Sequence, residues 1–243
     1  MRLGNFMRTT ALAGAAFGAL GAGSAHALLI DDFSKPDPGP QEVELPSNSA
    51  VGTTDTNTAT GLSPNVIGGE RDLELEITNS GSSSSTTVGA AGASVDDDLS
   101  FTFPTSADPV EATLKITWDG GTGLGGVDIT EGGGATAFSS EVIATDAAFD
   151  FKLDVTDTSS NTSTSGFLNV PGIGMQTLSF GAFTGSANFT SVDSITLTLR
   201  GQSPADFQID NVQTVPVPAT LGLLGAGLIG LGVLSRRRST GQA

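Results

Sequence analysis

Carboxylates are almost the only reactive side chains in this chain. Its 243 residues hold 26 Asp and Glu, one His, no Cys and no Tyr. His26 precedes every acidic residue, in a segment that reads as removed on export. The remainder has neither imidazole nor thiol, which excludes Ser-His-Asp triads, Cys-His pairs and ordinary zinc sites. Two carboxylates at the right separation can cleave a glycosidic bond. Among 26 acids, however, no spacing singles out a pair, and the chain is expected not to be an enzyme. Oxygen-only donors suit calcium, so any bound metal is expected to be calcium, although no EF-hand spacing is present. Gly68-Gly69-Glu70-Arg71-Asp72 reads as a turn with an ion pair. Gly132-Gly133-Gly134 has no helix after it and implies no phosphate loop.

The charges are distributed unevenly. All the acids lie between Asp31 and Asp210, with only five basic residues among them (Lys35, Arg71, Lys115, Lys152 and Arg200), so five against 26 leaves a net of −21. Such a surface repels nucleic acid and anionic lipid and favours cations. Without cysteine, an exported domain folds on its core alone or adds a metal ion.

Alternating patterns position these groups. Leu73–Ile77, Leu99–Phe103, Ala112–Trp118, Phe149–Val155, Ile195–Leu199 and Phe207–Val212 each place apolar residues at every second position, the period of a strand with one buried face. No sustained helical stripe interrupts them. One-faced strands seal each other in pairs of sheets, so the fold class is all-β: an antiparallel β-sandwich, jelly-roll-like, over residues 28–214. Trp118 is in phase with Leu114 and Ile116, which favours the core over a loop rim. Thr53–Gly61, Gly81–Thr87 and Thr156–Ser165 are rich in Ser and Thr and read as solvated loops.

The two ends differ in kind from the middle. Residues 1–27 carry Arg2 and Arg8, then a small apolar run (Ala11–Leu20), then Ala25-His26-Ala27. This is the order of a secretory signal peptide cut by signal peptidase after Ala27, with Ala25 and Ala27 at the positions the peptidase reads. Residues 215–243 begin Val215-Pro216-Val217-Pro218-Ala219, continue uncharged to Leu234, and end in Arg236-Arg237-Arg238. A helix from 217 to 234, with the residues just before it, reaches about 30 Å, the thickness of a bilayer's hydrocarbon core. Arginines at its exit prefer the cytoplasm, which leaves the acidic domain outside. Gly222, Ala226 and Gly230 share one face of that helix.

Pro-x-Pro, a glycine-rich apolar span and a terminal arginine cluster resemble the sorting tail of PEP-CTERM proteins. Val217 stands where that pattern has glutamate, so the tail is similar to the VPLPA variant. The resemblance implies that an exosortase cuts near the Pro-x-Pro motif, after a transient stage at the inner membrane, and delivers the protein to the cell surface or the medium. Val215 to Ala219 and Arg236 to Arg238 are the residues it assigns to sorting.

A second resemblance is confined to the domain's ends. Ile30-Asp31-Asp32-Phe33 with Ile209-Asp210-Asn211-Val212 is similar to the opening and closing strands of galactose-binding-like jelly rolls. It implies that these strands lie side by side and that a structural calcium ion sits near them. Asp31, Asp32 and Asp210 are candidate ligands, as are Asp96-Asp97-Asp98. The function expected is a structural or adhesive role at the surface or in the extracellular matrix. The alternatives are a carbohydrate-binding module partnered with extracellular polysaccharide, or a single-span protein permanently held in the membrane.

Overall fold

The computed structural model of the protein describes residues 27–45, 49–79, 91–102, 111–202 and 205–216. Fifteen strands run through them: β1 (Leu29–Asp31), β2 (Gln41–Leu45), β3 (Thr54–Thr60), β4 (Glu70–Asn79), β5 (Ala91–Val95), β6 (Leu99–Thr102), β7 (Glu111–Trp118), β8 (Ala135–Thr145), β9 (Phe149–Asp157), β10 (Thr162–Thr164), β11 (Leu168–Val170), β12 (Gly174–Ser179), β13 (Thr184–Gly185), β14 (Val192–Gln202) and β15 (Phe207–Pro216). Sheet A has the order β12-β8-β15-β6-β5-β2, with β1 also paired to β15. Sheet B has the order β13-β10-β9-β14-β7-β4-β3, with β11 also paired to β9. Every strand pairing is antiparallel. The two sheets face one another as the predicted sandwich.

All six predicted strands are present, because their alternation is the alternation of burial. On β4, Arg71, Leu73, Leu75 and Ile77 point inward; on β9, Phe149, Phe151, Leu153 and Val155 do. Three stacked rings tie the two sheets together. Phe207 of β15 lies 5.0 Å from Phe101 of β6 and 4.0 Å from Phe149 of β9, centroid to centroid. Trp118 is fully buried, in phase with Leu114 and Ile116 as predicted.

Two of the expected loops are strands. Thr53–Gly61 contains β3, and Thr156–Ser165 contains the end of β9 and all of β10. Neither carries an apolar alternation, so periodicity gives no signal. Side chains anchor β3 instead. Asn57 Nδ2 donates to Glu42 O (2.8 Å), Gln41 Nε2 donates to Asn57 O (2.8 Å), and Asp55 Oδ2 accepts from Glu44 N (2.8 Å). These bonds sew β2 of sheet A to β3 of sheet B and cover both edges. Gly132–Gly134 lies in a turn that leads into β8.

The strand ends sort into two groups. The ends of β2, β4, β6, β8 and β14 and the starts of β3, β5, β7, β9 and β15 lie at one end, hereafter the far end. The turns β3–β4, β5–β6, β7–β8 and β9–β10 lie at the other, with Leu28 and Pro216 beside them. Residues 1–26 and 217–243 fall outside the described residues, and with them the signal peptide, Ala25, Val217, Pro218, Ala219, the apolar span and Arg236–Arg238. Among the described residues no helix is long and apolar enough to cross a membrane.

Candidate functional site

The first and last strands lie side by side, as the second resemblance implied. Leu28 N donates to Thr214 Oγ1 (2.8 Å), and Thr214 N donates to Leu28 O (2.9 Å). Beyond Thr214 the ladder continues, with Val215 opposite Ala137 and Pro216 opposite Ala135. The first two residues of the sorting pattern are therefore the last two of the closing strand. Proline is tolerated there because a strand end can forgo one donor.

Asp31 is what locks the opening strand in place. Its Oδ1 accepts from Phe33 N (2.7 Å) and Arg71 Nη2 (2.6 Å), and its Oδ2 from Arg71 Nε (2.6 Å) and Trp118 Nε1 (2.7 Å). Gln41 Nε2 caps Arg71 O at 2.9 Å, and the Phe33 ring lies 5.5 Å from the Arg71 guanidinium carbon. Asp31, Arg71 and Trp118 are all fully buried. A carboxylate offers about four lone-pair sites, and here four donors fill them. The expected ion pair of Arg71 thus exists, but its partner is forty residues away rather than in its own turn. Burial raises the Asp31 carboxyl above its ordinary pKa, opposed by the hydrogen bonds and charge of Arg71 and by the Trp118 and Phe33 N–H groups.

That saturation bears on which carboxylates could meet a cation. Asp31 has no oxygen to give, and Asp31, Asp32 and Asp210 do not gather around one point. Asp32 Oδ1 accepts from the backbone N–H and hydroxyl of Ser34, and Asp210 Oδ2 accepts from Asn211 Nδ2. Asp98 lies near Asp210; burial, then the charges of Asp210 and Asp97, raise its carboxyl. The carboxylates that do converge among the described residues are Glu70, Asp72 and Asp119, with ligand atoms within 4.8 Å of one another. They flank Trp118 at the β3–β4 and β7–β8 turns, where Gly121 leaves room: a Cβ there would stand 2.8 Å from Glu70 Oε2. Burial, then Asp72 and Asp119, raise the Glu70 carboxyl. The sequence signal was the strand alternation that puts Glu70 and Asp72 on one face; the return of Asp119 depends on the β4–β7 register.

The outer face of sheet A carries a shallow groove edged by polar side chains. One part, about 260 Å³, lies over β2, β5 and β6, and a neighbouring part, about 470 Å³, lies over β6, β15 and β8. Ser100 and Thr102 line both. Small residues make the floor, while Glu42 and Glu44 stand at one side and Asp146 at the other. Gln208 lies between, its Nε2 donating to Ser100 Oγ at 3.0 Å. Gln208 falls within the closing stretch that the sequence singled out, but periodicity marks it only as outward-facing.

No curated protein matches the chain in sequence. Several solved structures are similar in fold. The family 11 carbohydrate-binding module of the cellulosomal cellulase Lic26A-Cel5E of Clostridium thermocellum is 11% identical with a TM-score of 0.37, over 79% of this chain and 95% of that one. The module TmCBM61, solved in complex with β-1,4-galactotriose, is 11% identical with a TM-score of 0.32, over 64% and 90%. An exo-β-agarase is 13% identical with a TM-score of 0.36, over 78% and 25%. At the C-terminus the correspondence is one of sequence: residues 214–238 match the PEP-CTERM protein-sorting motif. The closing strand of the sandwich thus runs directly into a PEP-CTERM sorting motif, which marks the chain for export and sorting to the cell surface.

Proposed function

We propose that this is a non-enzymatic adhesive or structural protein of the cell surface or its matrix, delivered by its tail and gripping polysaccharide along the groove of sheet A. The observation that carries the reading is the course of β15. Gln208, in the groove, and Val215–Pro216, in the sorting motif, belong to one strand. At ~3.3 Å per residue the groove lies roughly 25 Å from the point where the tail departs. The tether and the gripping surface are thereby held apart by the length of the sandwich.

The chemistry supports the same reading. The groove crosses several strands, so an extended polymer lies over it without entering the core. Its serine, threonine, glutamine and carboxylate groups match the hydroxyls of a glycan. Residues 1–27 have the order of a signal peptide, and signal peptidase and an exosortase are the processing partners this reading requires.

Mass spectrometry of the surface-displayed protein tests delivery. The expected mature chain starts at Leu28 and ends near Pro218. A chain intact through Ala243, in cells that contain an exosortase, would favour a permanent anchor instead. Gel retardation by soluble polysaccharide tests the groove: Gln208→Ala is expected to weaken it about tenfold, the cost of one or two hydrogen bonds.

A further inference from the structure

Sheet B carries a second cleft at the far end, on the face opposite the groove. It encloses about 330 Å³, and Glu111, Asp150, Asn169 and Arg200 line it. Three strands place these groups by register. Arg200 of β14 stands opposite Asp150 of β9, and Asn169 of β11 stands opposite Asp150 on its other side. Arg200 Nη2 donates to Asp150 Oδ2 at 2.6 Å, and Asn169 Nδ2 donates to Asp150 Oδ1 at 3.2 Å.

Beside the cleft is Phe167, 47% exposed and one of the few large apolar side chains turned outward among the described residues. It follows Gly166, whose φ of +68° turns the chain into β11. The Arg200 guanidinium carbon lies 4.3 Å from its ring centroid and Lys152 Nζ 5.4 Å from it. Both cations stand on long strands, Arg200 on β14 and Lys152 on β9. Arg200 is fixed at both ends, by a carboxylate and by a ring, and little side-chain freedom remains to be lost on binding. Arg200, and secondarily Asn169, hold the Asp150 carboxyl below its ordinary pKa, so it is an acceptor at neutral pH.

A guanidinium, an amide and a carboxylate joined by hydrogen bonds, beside a half-exposed ring, are complementary to a pyranose. Adjacent hydroxyls both donate and accept, and the apolar face of the sugar packs on the part of the ring that Arg200 and Lys152 leave open. Acidic polymers are disfavoured, because Arg200 and Lys152 are already paired with Asp150 and Asp154 and the domain is strongly anionic. We propose that the Phe167–Arg200–Asp150–Asn169 cleft is a second glycan-binding site, selective for neutral polysaccharide. It goes beyond the sheet A groove and does not depend on it. With sites on opposite faces, one molecule would bridge two polymer chains.

Native gels cast with a neutral β-glucan, galactan or mannan, and with polygalacturonate as the acidic control, test the site on the mature protein. Retardation by at least one neutral polymer is expected. Phe167→Ala and Asn169→Ala are each expected to weaken it about tenfold, the cost of one stacking or hydrogen-bonding contact. Asn169 is an exposed side chain, so its variant keeps the test valid if Phe167→Ala fails to fold. The double variant Gln208→Ala/Asn169→Ala should lose more than either single one. If Gln208→Ala abolishes retardation and neither cleft variant changes it, the groove stands and the second site falls. If no neutral polymer retards the protein, both fall. Retardation by polygalacturonate alone overturns the neutral class.

Discussion

Arg71→Met should be the most revealing substitution in the domain. It removes both charge-assisted bonds from Arg71 Nε and Nη2 to Asp31, each 2.6 Å long. The fully buried carboxylate keeps only Trp118 Nε1 and Phe33 N as donors. Leaving one member of a buried pair uncompensated costs about 3–5 kcal/mol. For a domain of about 190 residues, unfolding entropy near 2.1 cal/mol/K per residue gives ~0.4 kcal/mol/K, so Tm falls by roughly 8–12 °C. The double change Asp31→Leu/Arg71→Met removes both charges, so part of the loss returns. Recovery stays incomplete because the Trp118 indole N–H loses its acceptor, worth about 1–3 kcal/mol. The sign of the pH dependence is also fixed. Without Arg71, burial pushes the Asp31 carboxyl still higher, so the folded state holds a proton that the unfolded state releases. The deficit of Arg71→Met therefore grows as pH rises above the ordinary carboxylate range and shrinks in acid. Calorimetry measures the loss. Trp118 is the chain's only tryptophan, so its fluorescence reports on the same contact. A Tm within about 2 °C of wild type at neutral pH would refute the argument.

Other outcomes follow from the same geometry. Asp157 is held at about 2, chiefly by the Asn161 side chain and then by Asn188 N; its contribution to stability is present above the ordinary carboxylate value and disappears as pH falls toward 2, so acid titration of Asp157→Asn should lack that part of the decline. Calcium is expected to meet Glu70, Asp72 and Asp119 rather than Asp31: its addition after chelation should raise Tm in wild type and Asp210→Asn but not in Asp119→Asn, and an unchanged Tm in all three rejects a metal site. Gly185 has φ of +135°, and a Cβ there would stand 2.2 Å from Thr162 O; Gly185→Ala should cost about 1–3 kcal/mol, read as lost amide protection in β10 and β13 with β7 and β14 unaffected. Phe207→Ala, at the centre of the three-ring stack, should cost about 3–5 kcal/mol by denaturant titration.

The strands were legible wherever one face is apolar, because burial and alternation are then the same fact. Leu73, Leu75 and Ile77 announced β4, and Phe149, Phe151 and Leu153 announced β9. β3 and β10 were illegible for the converse reason. Their inward residues are Asp55, Asn57 and Ser163, whose partners Glu44, Glu42 and Ala187 lie elsewhere in the chain and leave no trace in local sequence. The same holds for Asp31. Its place in an acidic doublet suggested a cation ligand, and only the tertiary approach of Arg71 and Trp118 turned it into a buried anion with every acceptor filled. The meeting of the termini was readable from paired motifs at the chain's two ends. Phe167 was not, since a lone phenylalanine after a glycine has no periodicity to reveal which way it faces.

The position of β15 has a mechanical consequence. It lies inside sheet A, bonded to β8 along one side and to β6 and β1 along the other. A surface protein held by a polymer lying over β2, β5 and β6 and by its tail at Pro216 is pulled along the axis of this strand. The load then falls on many ladder bonds at once, in shear, rather than parting them one by one as at a peeled edge. Flow or tugging between cells would be borne by the best-supported strand of the sandwich.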